Sequence, residues 1–126
     1  MERPFLRPNG MVFDSPDAQE LADFWQRLLG WPRRSNESDW VTLAPPGDGI
    51  GLSFQTDSRY VRPVWPAGEG DQQMQIHLDI EVQDLNEGVS WATSQGAVLA
   101  DFQPQQDVRV MLDPAGHPFC LWVATE

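Results

Sequence analysis

One order of elements occurs twice in this 126-residue chain: a strand pattern, a helix pattern, then three more strand patterns. The two halves also match locally. Leu43, Pro45, Gly47 and Leu52 recur as Leu112, Pro114, Gly116 and Leu121, all at an offset of 69 residues. Trp25 and Gly30 recur as Trp91 and Gly96 at an offset of 66. Few architectures repeat mixed elements at this length.

The first half opens with Gly10-Met11-Val12-Phe13-Asp14 as a strand. Ser15-Pro16-Asp17 is a helix start, with a capping side chain, an early proline and acids near the positive helix end. Ala18, Leu21, Ala22, Trp25, Leu28 and Leu29 follow at helical spacing, and Gly30 is a natural stop. Asp39–Leu43 and Ile50–Gln55 read as strands around the turn residues Pro45-Pro46-Gly47-Asp48-Gly49. A further strand around Trp31–Ser35 has only a poor signal.

The second half opens on Gln75–Val82, which alternates strictly. Ile76, Leu78, Ile80 and Val82 fall on one face, and Gln75, His77, Asp79 and Glu81 on the other, the period of a strand with one buried side. Asp84-Leu85-Asn86-Glu87 starts a helix with a capping pattern. Leu85, Val89, Ala92 and Trp91 supply its apolar stripe. Val98-Leu99, Val108–Leu112 and Phe119–Val123 read as strands, with Asp113-Pro114-Ala115-Gly116 turning between the last two. These readings give one domain over 1–126, with repeats near 8–55 and 74–124 and a linker, 56–73, rich in proline, glycine and charge.

One helix per half covers one face of its sheet. The apolar sets Ile50, Leu52, Phe54; Ile76, Leu78, Ile80; and Phe119, Leu121, Val123 are expected to meet the helices. The remaining set, which includes Trp40, Thr42, Gly51, Ser53, Gln55, His77, Asp79, Arg109, Met111, Cys120 and Trp122, is expected to line a cleft between two curving sheets. A few polar groups among aromatics suit a small organic ligand.

Composition narrows the partners. A net charge of −11 argues against nucleic-acid backbones and anionic membranes and favours a cationic or neutral ligand, or solubility alone. No apolar run nears the ~20 residues of a membrane span, and the N-terminus lacks a secretory pattern. All eight basic residues are arginines, so Schiff-base lysine chemistry is excluded. Cys120 is the one cysteine, which removes intrachain disulfides and suits a reducing cytoplasm. There is no phosphate loop, nucleophile elbow or His-Glu-x-x-His motif.

A βαβββ unit repeated twice resembles the vicinal oxygen chelate superfamily, which includes glyoxalase I, extradiol dioxygenases and bleomycin-resistance proteins. The bacterial glyoxalase-like branch is most similar, through Phe13-Asp14-Ser15-Pro16-Asp17, Leu28-Leu29-Gly30-Trp31, Trp65-Pro66, Gln72–Asp79 and Asp113-Pro114-Ala115-Gly116-His117-Pro118-Phe119. The resemblance implies an α+β fold of two βαβββ repeats forming curved mixed sheets, and a homodimer.

It also implies where a divalent metal is held in metal-using members: on the first and last strand of each repeat. Those positions carry over to His77 and Cys120 in the second repeat, and to the neighbourhood of Gly10 and to Gly51 or Ser53 in the first. One imidazole, one thiol and two blanks are a poor ligand set, so the expectation is no cofactor, with His77 the ligand if a divalent metal binds. Gln55 and Asp79 substitute only in another register.

His77 is the candidate catalytic residue, as the general base of a lyase- or isomerase-type proton transfer; equally it is a hydrogen-bonded polar residue with no chemistry. Cys120 reads as packing ahead of a thiolate–imidazole partner for His77. Trp40 and Trp122 stack on a ligand or pack the core. Arg109 holds an anionic ligand group or a surface ion pair. Drug sequestration, as in bleomycin-resistance proteins, is the alternative function, and an atypical metalloenzyme the third.

Overall fold

The structure is a computed structural model that describes residues 1–124. The chain forms two compact units, Met1–Ser58 and Arg59–Glu126.

The first unit holds β1 (Gly10–Ser15), α1 (Ala18–Leu29), β2 (Arg33–Glu37), β3 (Trp40–Leu43) and β4 (Gly51–Thr56). Its sheet runs β1-β4-β3-β2, with β1 parallel to β4 and the other pairs antiparallel. The Asp17 carboxylate caps α1, accepting from the backbone N–H of Gln19 and Glu20. Gly30 ends the helix at φ 73°, a left-handed conformation that suits a residue without Cβ. Leu21, Ala22, Phe24 and Trp25 are buried against the sheet residues Val41, Leu43, Leu52 and Phe54. Phe13 and Phe24 pack their rings on Trp25 at centroid distances of 5.4 and 5.3 Å.

The second unit holds β5 (Leu78–Glu81), α2 (Leu85–Gln95), β6 (Val98–Leu99), β7 (Val108–Leu112) and β8 (Pro118–Trp122). Its sheet order, β5-β8-β7-β6, is that of the first sheet. Asp84 caps α2 through the Glu87 N–H, and Gly96 ends it at φ 118°. The fold is therefore α+β, a duplicated βαβββ unit with two four-stranded mixed sheets.

Four expectations are corrected. The strand over Gln75–Val82 shrinks to Leu78–Glu81, and Ile76 is 73% exposed. β5 pairs only with β8, in parallel, and their ladder begins at Leu78 and Phe119. Pro118, just before, has no N–H to extend it. Ile50 likewise lies outside its strand and is exposed. Trp91 does not supply the core stripe of α2 but stands 52% exposed.

The fourth concerns the faces of β7. Leu43 pairs with Leu52, nine positions on, whereas Leu112 pairs with Pro118, six positions on. The sequence repeat is thus not matched by the hairpin register. An odd difference swaps the faces of a strand. Arg109 pairs with Leu121 and Met111 with Phe119, so both lie on the side of the core residues, and Val108 and Val110 oppose Trp122 and Cys120 instead.

Candidate ligand pocket

On the first sheet, the face away from α1 is built by the alternate residues of its strands. Gly10 pairs with Gly51, Val12 with Ser53, Thr42 with Ser53 and Trp40 with Gln55. All of these but Gln55 line a cavity of about 330 Å³. Its floor is Gly10, Val12, Gly51 and Ser53, and its wall is Trp40, Thr42, Ser35 and Arg34, with Asn9 and Leu43 at the margin. Ser35 and Thr42 hold each other by a 2.8 Å hydroxyl–hydroxyl hydrogen bond, and the Thr42 hydroxyl also accepts from the Ser35 N–H at 3.0 Å.

The floor is flat for a backbone reason. A Cβ on Gly51 would stand 2.9 Å from the Leu43 carbonyl oxygen, so no side chain projects from that position without moving a strand. Gly10 would tolerate one, with its nearest neighbours at 3.7 and 3.8 Å.

On the second sheet, Asp79 pairs with Cys120 and Glu81 with Trp122. His77 precedes β5, and its Nε2 lies 3.2 Å from Asp79 Oδ1. Ligand atoms of His77, Asp79 and Cys120 all fall within 4.8 Å of one another. The carboxylate therefore sits with both the imidazole and the thiol. Burial pushes the Cys120 thiol above its ordinary value, and Asp79 pushes it further, by its charge and by accepting the thiol's hydrogen bond. A reactive nucleophile needs the opposite shift.

This arrangement predicts slow alkylation of Cys120. Its rate profile with iodoacetamide is expected to rise at higher pH than that of an unstructured thiol, and Asp79→Asn is expected to move it back down. A profile unmoved by that substitution would remove Asp79 as a cause. The same shift lowers folding stability in alkali. Below 9.0 both states hold the proton; above it the unfolded chain ionises first, and the folded state loses ground.

The other sequence candidates are scattered. Gln55 is exposed, and its amide donates to Asp14 Oδ1 at 3.1 Å. Arg109 turns back on its own chain, donating to the carbonyls of Gln106 and Val108 at 2.8 and 2.9 Å. Trp122 is half-buried beside the Asp79–Cys120 pair. Of the set expected to line a cleft, Trp40, Thr42, Gly51 and Ser53 line this cavity.

Arg34 and Ser35 were hidden from sequence reasoning by a bulge. The β2–β3 register slips between Arg33, opposite Leu43, and Ser35, opposite Thr42. That inserted residue breaks the alternation by which a strand is read, which accounts for the poor signal over Trp31–Ser35.

With Gly51 taken as the counterpart of Cys120 at the 69-residue offset of the sequence repeat, the strand pairing makes Gly10 the counterpart of Asp79 and Pro8 that of His77. The first repeat offers a metal no side-chain donor at any of these three places.

Residues 10–122 match the Glyoxalase-like domain family. The chain belongs to that glyoxalase-like family, within the vicinal oxygen chelate superfamily. No curated protein matches it in sequence. Solved structures share the fold. A glyoxalase/bleomycin resistance protein/dioxygenase family enzyme from Burkholderia phytofirmans has a TM-score of 0.70 at 15% identity, over 95% of this chain and all of its own. A protein of Agrobacterium tumefaciens solved by NMR reaches 0.72 at 12%, over 97% of this chain and all of its own. TnmS3, an antibiotic binding protein from a Streptomyces species, reaches 0.62 at 13%, over 98% of this chain and all of its own.

Proposed function

We propose that this protein binds a small organic molecule, without a metal, in the cavity on the open face of its first sheet. The observation that carries the proposal is the pairing of Gly10 with Gly51 in the lining of a cavity that Trp40 also borders. It leaves room for a ligand where metal-using relatives place donor side chains, and the Leu43 carbonyl bars a side chain at position 51. A cavity of about 330 Å³ suits a ligand of one or two rings.

Were a metal held, His77, Asp79 and Cys120 would hold it, and it would act there as a Lewis acid on a ligand oxygen. The protonated thiol and the absence of first-repeat donors make this set a poor one.

The experiment has two parts. Metal analysis of protein purified without a histidine tag is expected to show no stoichiometric zinc, nickel, manganese or iron. Titration with a panel of small aromatic compounds is expected to change the indole fluorescence of the native chain and not that of Trp40→Phe. A stoichiometric metal, or a response that survives the loss of Trp40, would overturn the reading.

A separate reading gives His77, on the second unit and outside this cavity's lining, a proton transfer of the lyase or isomerase type, with Asp79 at 3.2 Å from its Nε2. His77→Ala is expected to abolish any turnover found among keto acids, aldehyde adducts and epoxides. A second reading, drug sequestration, draws on the antibiotic-binding TnmS3, which shares the fold. We also propose a homodimer in a reducing cytoplasm: the second unit exposes Trp91, Val98 and Leu99, and the chain's one thiol, Cys120, is free.

A further inference from the structure

We infer that the ligand of this cavity carries an anionic group, read by Arg34. The inference rests on the binding role proposed for the cavity and names the class of molecule that fills it.

Arg33 and Arg34 are adjacent in sequence and opposite in circumstance. Arg33 faces α1 and is fully engaged. Its Nε donates to Gln26 Oε1 at 2.8 Å, its Nη1 to Gln19 Oε1 at 2.8 Å and to Asn36 Oδ1 at 2.7 Å, and its Nη2 pairs with Asp23. Arg34 is the residue inserted by the bulge, exposed, and on the cavity wall. Among the described residues it has no hydrogen-bond or ion-pair partner.

Bulges re-aim single side chains, and this one turns a second arginine onto the open face without disturbing the first. Arg34 is also the one charged residue lining the cavity; the rest of the lining is Trp40, three hydroxyl residues, two glycines, Asn9, Val12 and Leu43. Arg34 thus puts a positive charge into the cavity lining of an acidic protein. This reverses the ligand charge that the net charge of −11 suggests.

The chemistry follows from the parts. A planar guanidinium meets a carboxylate through two parallel hydrogen bonds, and does so best when no internal acid competes. Trp40 offers an indole face to a flat apolar body. The paired hydroxyls of Ser35 and Thr42 complete a polar edge next to the guanidinium. An aromatic or cyclic monocarboxylate uses all three.

The test is calorimetric titration of the full chain and of Arg34→Gln with 2-naphthoate and with uncharged 2-naphthamide. The native protein is expected to prefer the carboxylate by about tenfold or more. Arg34→Gln is expected to bind both compounds as the native protein binds the amide, with circular dichroism unchanged. Added salt is expected to shrink the preference in the native protein alone. Equal affinity for the two compounds, or a preference that survives Arg34→Gln, would overturn the anion inference and leave the cavity's binding role standing. Failure of the native protein to bind either compound would overturn both.

Discussion

Asp113→Ala is expected to lower folding stability by about 3 kcal/mol, because it removes the acceptor of a buried hydrogen-bond cluster and each donor left unsatisfied costs ~1–3 kcal/mol. The Asp113 side chain is fully shielded from solvent. Its Oδ1 accepts from the N–H of Ala115 and of His117, both at 2.9 Å, and its Oδ2 meets His117 Nδ1 at 2.8 Å. Alanine leaves two backbone donors and an imidazole nitrogen without that acceptor.

The loss would spread to the chain entering the second unit. The Tyr60 hydroxyl donates to the Ala115 carbonyl at 2.7 Å and lies 3.3 Å from His117 Nε2, and Arg62 donates to the Pro114 carbonyl at 2.9 Å. Urea unfolding followed by circular dichroism measures the difference. Asp113→Asn keeps an acceptor oxygen and is expected to fall between the native chain and Asp113→Ala. A loss below about 1 kcal/mol for alanine would mean that water replaces the carboxylate without penalty.

The second large effect separates two residues that the internal repeat makes equivalent. Trp25 is wholly buried, with Phe13 and Phe24 against its rings. Trp25→Ala is expected to cost about 3–5 kcal/mol through lost burial and the cavity left behind. Trp91→Ala is expected to cost about 1 kcal/mol or less, because the ring is already half in water. Paired urea titrations decide this. Similar losses would show that exposure does not govern the two sites.

Much of the fold was legible because short-range patterns carry it. Asp17, Gly30, Asp84 and Gly96 mark both helix ends as capping chemistry demands. The apolar positions Leu52, Phe54, Phe119 and Leu121 face the core as their alternation requires. Phe24 escaped the helical stripe because it flanks Trp25 in sequence, and only packing shows that both rings are buried.

The site was less legible, for two reasons of register. A bulge has no signature beyond a broken period, so Arg34 looked like noise in a weak strand. Hairpin register depends on how a turn closes, so the alternation alone does not show that Arg109 and Met111 lie on the core side of β7. His77, Asp79 and Cys120 do come together, since a parallel pairing of the first and last strands brings their positions side by side.

The unequal hairpins also bear on how this chain can change over time. Copies of one unit are interchangeable while a residue means the same thing in both. Here the strand before the second turn has been turned over relative to its twin, so a substitution that reshapes the open face of one half strikes the core side of the other. Sequence traded between the halves would carry its polar and apolar residues to the wrong sides. Each half must therefore diverge on its own, one keeping an empty floor over glycine and the other a knot of donors.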